Sequence, residues 1–178
     1  MTLFTKLGYP KLSKEICWGP ISAKFELNKP SLDEGLISNV SLIPFIADKC
    51  VVMQINNKVW ELPGGTLEPS ENWYDAISRE TMEELGAELI NFNIFGAFYC
   101  TSSSENPYRS HIPHPNFIRI VGYGEVAIID KPSNPADGEN VTKVEVVDIQ
   151  EAIRRFENIG RHDIAELYKM ADQMRGLR

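Results

Sequence analysis

Short apolar runs alternate with turn-forming clusters along this chain, and one stretch of helical period interrupts them. Asn39 to Met53, NVSLIPFIADKCVVM, holds two strand-like runs separated by Ala47-Asp48-Lys49. Asn56-Asn57-Lys58 predicts a hairpin turn between Val51–Ile55 and Val59–Leu62, and Pro63-Gly64-Gly65 breaks the second strand. Glu71 to Leu85 then predicts a helix. Ser70 is its expected N-cap, since a hydroxyl can accept a free N–H of the first turn. Gly86 sits where a left-handed residue ends a helix cheaply. Tyr74, Ile77, Thr81 and Leu85 fall on one expected core-facing stripe.

Beyond the helix, Leu89–Tyr99 and Phe117–Ile129 are strand-like. Between them Cys100 to Asn116 is polar and carries Pro107, Pro113 and Pro115, the character of a long binding loop. Val144–Val147 predicts a short strand, and Ile149–Glu157 and Asp163–Arg175 predict helices. In the last, Ile164, Leu167, Ala171 and Met174 make one apolar side. Residues 1–36 carry the weakest pattern, with Ala23–Leu27 a short strand bounded by Pro20 and Pro30. Strands, helix, strands, helices predict an α/β fold, helices packed on a mixed sheet. The expected division is an N-terminal extension, 1–36, and one domain over 37–178.

Composition narrows the function. The chain has 178 residues, 43% apolar and 24% charged, the profile of one globular domain. Its net charge of -7 argues against a general nucleic-acid binder, which needs a basic face. Small anionic substrates stay open, because a bound cation can reverse the charge of one site. The three cysteines, Cys17, Cys50 and Cys100, are far apart and predict buried free thiols. No signal-type apolar run opens the chain and no run reaches the ~20 residues of a membrane span, so the expected location is the cytoplasm.

The chemistry concentrates on Glu80, Glu83 and Glu84, which share about a 100° arc of the predicted helix. Alone, such carboxylates repel one another by a few tenths of a kcal/mol per pair. A hard divalent cation between them reverses that sign, and Mg²⁺ takes oxygen ligands while sharing its shell with substrate phosphates. A solvated acidic face is the alternative for those residues in isolation.

Their surroundings decide between the two. Residues 65–87 read GTLEPSENWYDAISRETMEELGA. This resembles the Nudix box: Gly, five residues, Glu, seven residues, Arg-Glu, an apolar and a free residue, Glu-Glu, a free residue, Gly, and an apolar residue. Gly65, Glu71, Arg79, Glu80, Glu83, Glu84 and Gly86 occupy the fixed positions without a gap. At about 7% use of each residue type, a chance match per window is on the order of one in a hundred million. Thr81 and Ala87 stand where larger aliphatic residues are usual, and Trp60-Glu61-Leu62-Pro63-Gly64 looks like the lead-in common in this family.

The resemblance implies an α/β/α sandwich and an Mg²⁺-dependent hydrolase, with Mn²⁺ as a substitute, acting on a nucleoside diphosphate linked to another group. It implies Glu80 and Glu84 as main metal ligands, Glu83 as a further ligand or water-positioning group, and the Gly64 carbonyl as a metal contact. Glu71 and Arg79 resemble the family's internal ion pair, which orients the ligating carboxylates. Glu145 matches a ligand or base position of some members, with Glu125, Asp137 and Glu139 as rivals. Tyr108 and Arg109 are the candidate substrate contacts in the long loop, where His111 and His114 also lie. His162 is expected at a helix start, Trp60 in core packing, and Phe45 and Tyr99 in the core or a base pocket. The substrate class stays open between nucleoside triphosphates, nucleotide sugars, ADP-ribose and dinucleoside polyphosphates. A non-catalytic nucleotide sensor is the alternative function, and homodimerisation is left open.

Overall fold

The computed structural model describes residues 8–27 and 31–176. Pro30 and residues 1–7 of the N-terminal segment lie outside that range. Ten strands form one mixed sheet: β1 (Ile16–Trp18), β2 (Ile21–Leu27), β3 (Ile37–Ile46), β4 (Lys49–Ile55), β5 (Val59–Glu61), β6 (Gly64–Thr66), β7 (Ala87–Leu89), β8 (Asn93–Ser102), β9 (Asn116–Ile128) and β10 (Val141–Val147). Among the described residues the α-helices α1 (Trp73–Leu85), α2 (Ile149–Asn158) and α3 (His162–Gly176) accompany them. The strand order is β1-β2-β8-β9-β3-β4-β10, with β5 on β4, β6 on β3 and β7 on β9. β3 and β9 run parallel at the centre and the remaining pairs are antiparallel.

Both faces of the sheet are covered, which explains why β3 and β4 read as nearly continuous apolar runs. Successive side chains go to opposite faces. Val40, Leu42, Val51 and Met53 join Ala76, Ile77 and Leu85 of α1 in one cluster. Ile43, Phe45, Cys50 and Val52 join Ala152 and Phe156 of α2 and Ile164, Leu167 and Tyr168 of α3 in the other. The result is the expected α/β/α sandwich. Phe156 and Tyr168 are fully buried with ring centroids 5.1 Å apart, and burying each aromatic contributes roughly 1.5–3 kcal/mol. Tyr168 keeps its hydroxyl satisfied by donating to the Val51 carbonyl at 2.9 Å. Residues 16–27 supply β1 and β2, so part of the N-terminal segment extends the sheet beside β8.

Several sequence expectations shift. The helix opens at Trp73, capped by Asn72, whose side chain accepts from the Tyr74 and Asp75 N–H groups. Ser70 instead occupies a turn at φ 65°, outside the extended geometry of an N-cap. Tyr74 is exposed, whereas Ile77, Thr81 and Leu85 are buried. At 100° per residue Trp73 lies about 40° from Ile77 and Tyr74 about 60°, so Trp73 makes the first-turn contact, against Phe92. Gly64 and Gly65 form the strand β6 on β3 rather than a plain break. The Leu89–Tyr99 run divides into β7 and β8. Cys50 and Cys100 are buried free thiols, while Cys17 is exposed on the terminal strand β1. No described helix is long and apolar enough to cross a membrane.

Gly86 closes α1 at φ 62°, and a Cβ there would sit 2.2 Å from the Asp130 carbonyl oxygen. Gly86→Ala should therefore cost more than the roughly 1–2 kcal/mol of left-handed backbone strain alone. Urea denaturation of the purified variant measures this directly; an unchanged midpoint would contradict it.

Candidate active site

Local chemistry delivers two carboxylates of α1, Glu80 and Glu84, to one glycine turn. β6 pairs through Ser41 with Gly64 and through Val40 with Gly65, so the turn is clamped to the central strand. Gly64 adopts φ 134°, a conformation that side chains rarely tolerate. Its N–H donates to Glu84 Oε2 at 2.8 Å. A Cβ on Gly65 would stand 2.1 Å from Glu80 Oε1, so only glycine lets Glu80 approach.

Arg79 organises the neighbouring charges. Its Nε and Nη2 donate to the two oxygens of Glu71, each at 2.9 Å. Nη1 donates to Glu80 at 2.9 Å and to Glu83 at 3.2 Å. Glu71 also accepts from the Glu68 N–H at 2.8 Å. The Arg79 guanidinium holds the Glu71 carboxyl below its ordinary pKa, and the same contacts push Arg79 up.

Glu84 has no such partner. It is 8% exposed, and burial pushes its pKa up to about 9, partly opposed by the Gly64 N–H and reinforced by Glu80, Glu139 and Glu61. Burial likewise raises Glu80 despite Arg79. Two desolvated carboxylates against a backbone turn form a hard-oxygen donor set short of positive charge. That chemistry fits a divalent cation. Among the described residues no three His, Cys, Asp or Glu side chains are grouped so as to hold a metal ion by themselves. An open site is what Mg²⁺ uses, completing its shell with waters and phosphates.

The turn opens into a cleft of about 770 Å³. Its acidic end carries Glu61, Glu80, Glu84, Asp137 and Glu139. Trp18, Phe98 and Arg119 of β1, β8 and β9 line the same cleft, with Ile164 and Leu167 of α3. Arg161, just before α3, donates to Glu61 at 3.0 Å and to Asp163 at 3.1 and 3.2 Å.

Glu145 is not among the residues lining this cleft. It sits on the outer strand β10 and accepts from Arg155 of α2 at 2.5 Å, with Arg155 stacked 4.4 Å over Trp60. Glu125 is likewise engaged, by Arg175 at 2.6 Å. Of the four later acids weighed from sequence, Asp137 and Glu139 reach the cleft, from the segment between β9 and β10. Burial, then Glu61, raises the Glu139 pKa.

The long connection is ordered over the lead-in to α1. Tyr108 contacts the Thr66 hydroxyl and accepts from Asn39 at 3.5 Å. Arg109 pairs with Glu68 at 3.3 Å and lines the cleft, and His111 Nε2 lies 2.8 Å from the Leu67 carbonyl. Phe45 is fully buried beneath Arg175, and Tyr99 packs with the α1 cluster, so neither lines the cleft. Cys50 and Cys100 are pushed up by burial to about 12 and about 11, which makes both poor nucleophiles. Sequence reasoning missed Trp18, Phe98, Arg119 and Arg161. The one available signal was Arg119, a cation inside the apolar run FIRIV.

The buried Glu84 generates a stability prediction for the metal-free protein. Its folded pKa lies above the unfolded value, so the folded state binds the proton more tightly. Stability from this group is present at low pH and is lost as pH rises from about 4.5 towards 9. Glu84→Gln removes the cost of charging that site. In the presence of chelator it should raise Tm by a few degrees at pH 8–9, with the gain shrinking below pH 5. A melting series showing a pH-independent difference would refute this.

Comparison with known proteins agrees with the geometry. The family model of the NUDIX domain matches residues 37–168. A NUDIX hydrolase from Nitrosomonas europaea superposes with a TM-score of 0.57 at 20% identity, covering 80% of this chain and 91% of that one. The Bacillus subtilis pyrophosphohydrolase BsRppH superposes with a TM-score of 0.53 at 18% identity, covering 71% and 72%. Comparison with curated proteins finds no significant match. With the box intact, its helix packed on the mixed sheet and the family model spanning the domain, the chain belongs to the NUDIX domain family.

Proposed function

We propose that the chain hydrolyses a phosphoanhydride bond in a nucleoside diphosphate linked to a further group, with Mg²⁺ or Mn²⁺ held by Glu80 and Glu84. One observation carries this reading: Glu84 is buried beside Glu80 at the glycine turn, with no cationic side chain bonded to it. An acidic cleft would repel a polyphosphate, so binding one there requires a cation. When bound, a divalent ion neutralises anhydride oxygens and acidifies water, which is what cleavage at phosphorus needs.

The chain's own residues have distinct parts in this proposal. Glu83 and the Gly64 carbonyl extend the donor set. Arg79, anchored by Glu71, aims Glu80 and Glu83, a positioning role that fixes carboxylate orientation. Glu139 takes the proton of the attacking water, because burial raises its basicity and it shares the cleft with Glu84. That replaces Glu145, whose carboxylate is engaged by Arg155. Arg109 contacts the distal phosphates, for which its planar fork is suited, and Tyr108 holds that loop to Thr66. The attack needs no covalent enzyme intermediate.

A phosphate-release screen over nucleoside triphosphates, nucleotide sugars, ADP-ribose and dinucleoside polyphosphates tests the reading. Activity should appear with Mg²⁺ or Mn²⁺ and vanish with chelator. Glu84→Gln should lower kcat by at least about 100-fold, comparable with removing a major electrostatic group. No turnover of any of these compounds would leave a nucleotide-sensing domain instead.

The same assay separates the two later acids and the loop. Glu139→Gln should reduce kcat by about 10²-fold or more, as expected for loss of a general base, while Glu145→Gln stays close to wild type. The reverse pattern would return the base to Glu145. Arg109→Ala should raise KM with little change in kcat, the mark of lost uniform binding.

A further inference from the structure

Three arginines line the cleft, and two of them are occupied by carboxylates: Arg161 by Glu61 and Asp163, and Arg109 by Glu68. Arg119 differs. Among the described residues it makes no ion pair or hydrogen bond, and its guanidinium lies 5.1 Å over the Trp18 ring. Trp18 in turn meets Phe98 edge to face, with centroids 5.0 Å apart at 67°. Ile164 and Leu167 line the same cleft. Arg119 is therefore a cation beside aromatic rings whose side-chain N–H donors have no acceptor among the described residues.

Its place relative to the glycine turn is set by the sheet. Arg119 is in register with Asn39, and Asn39 with Thr66 next to Gly65. Two strand spacings put Arg119 about 10 Å from that turn. A group this far from the scissile phosphates is the nucleoside, not the anhydride.

We infer that Trp18, Phe98 and Arg119 form a nucleobase subsite that selects guanine over adenine. A flat apolar slot suits the π-face of any base, which gives affinity without choice. The choice comes from Arg119. Guanidinium only donates, and guanine presents two adjacent acceptors, O6 and N7, whereas adenine sets an amino donor beside N7. A phosphate would also satisfy the fork, but the aromatic flank of Trp18 and Phe98 disfavours a strongly hydrated anion. The inference rests on the nucleotide reading above for the kind of ligand, and its test does not require turnover.

Nucleoside monophosphates contain no anhydride, so GMP, AMP and CMP can be titrated into the full chain with Mg²⁺ present, by calorimetry. GMP should bind about 10–100-fold more tightly than AMP, the discrimination expected of one bidentate contact. Arg119→Met, which keeps the apolar stem and has no donor, should bring GMP down to the AMP level and leave AMP nearly unchanged. Trp18→Ala should weaken both by about tenfold, and Trp18→Phe should restore most of that loss. If Arg119→Met does not fold, Arg119→Ala also removes the donors and should likewise erase the preference. Equal GMP and AMP affinities, a preference that survives the Arg119 variants, or tighter binding of CMP would overturn the assignment. So would inorganic phosphate competing as well as GMP and losing affinity in step with it. A guanine preference in a protein that hydrolyses none of the screened anhydrides would uphold the subsite and remove the hydrolase reading.

Discussion

Burying the Glu84 and Glu80 carboxylates against the Gly64-Gly65 turn is the constraint around which this molecule is arranged. An isolated ionised carboxylate taken from water costs several kcal/mol unless something compensates it. Here the compensation is partial by construction: one backbone N–H for Glu84, one guanidinium contact for Glu80. The deficit of positive charge is a property of the fold. It explains why the turn must be glycine and why α1 must lie where it does.

The rest of the structure holds that arrangement rigid. β6 is clamped to β3 at the sheet centre, and α1 is fixed at both ends, by Asn72 at its start and Gly86 at its close. Ala76, Ile77 and Leu85 tie the same helix to the core. Arg79 then distributes its donors over Glu71, Glu80 and Glu83, so three carboxylates move as one unit. The loop of Tyr108, Arg109 and His111 leans on residues 66–68, the segment between turn and helix, and limits its freedom. The second layer, α2 and α3, shapes the opposite wall of the cleft through Arg161, Ile164 and Leu167.

Much of this was determined by the sequence alone. The strand and helix periods, the glycine at the end of α1 and the seven fixed positions of the box are local or fixed-spacing features, and one dimension suffices to carry them. The same holds for the Glu71–Arg79 pair, whose partners lie eight residues apart, one just before α1 and one in its middle. Where local signals competed, the reading failed for local reasons. Ser70 and Asn72 are both good caps, and the backbone of the 68–71 turn decided between them.

Only tertiary structure could decide which distant residues share the cleft. Glu125, Asp137, Glu139 and Glu145 look alike along the chain, and strand register and the partners on α2 and α3 separate them: Arg155 captures Glu145, Arg175 captures Glu125, and the β9–β10 segment carries Asp137 and Glu139 inward. Trp18, Phe98 and Arg119 meet because β1, β2, β8 and β9 lie side by side, although the sequence separates Trp18 from Arg119 by a hundred residues. A motif of fixed spacing fixes the glycine turn and its carboxylates because a single strand, loop and helix build them. The slot beyond it is assembled across strands that are distant in sequence, and no periodicity records which of their residues become neighbours.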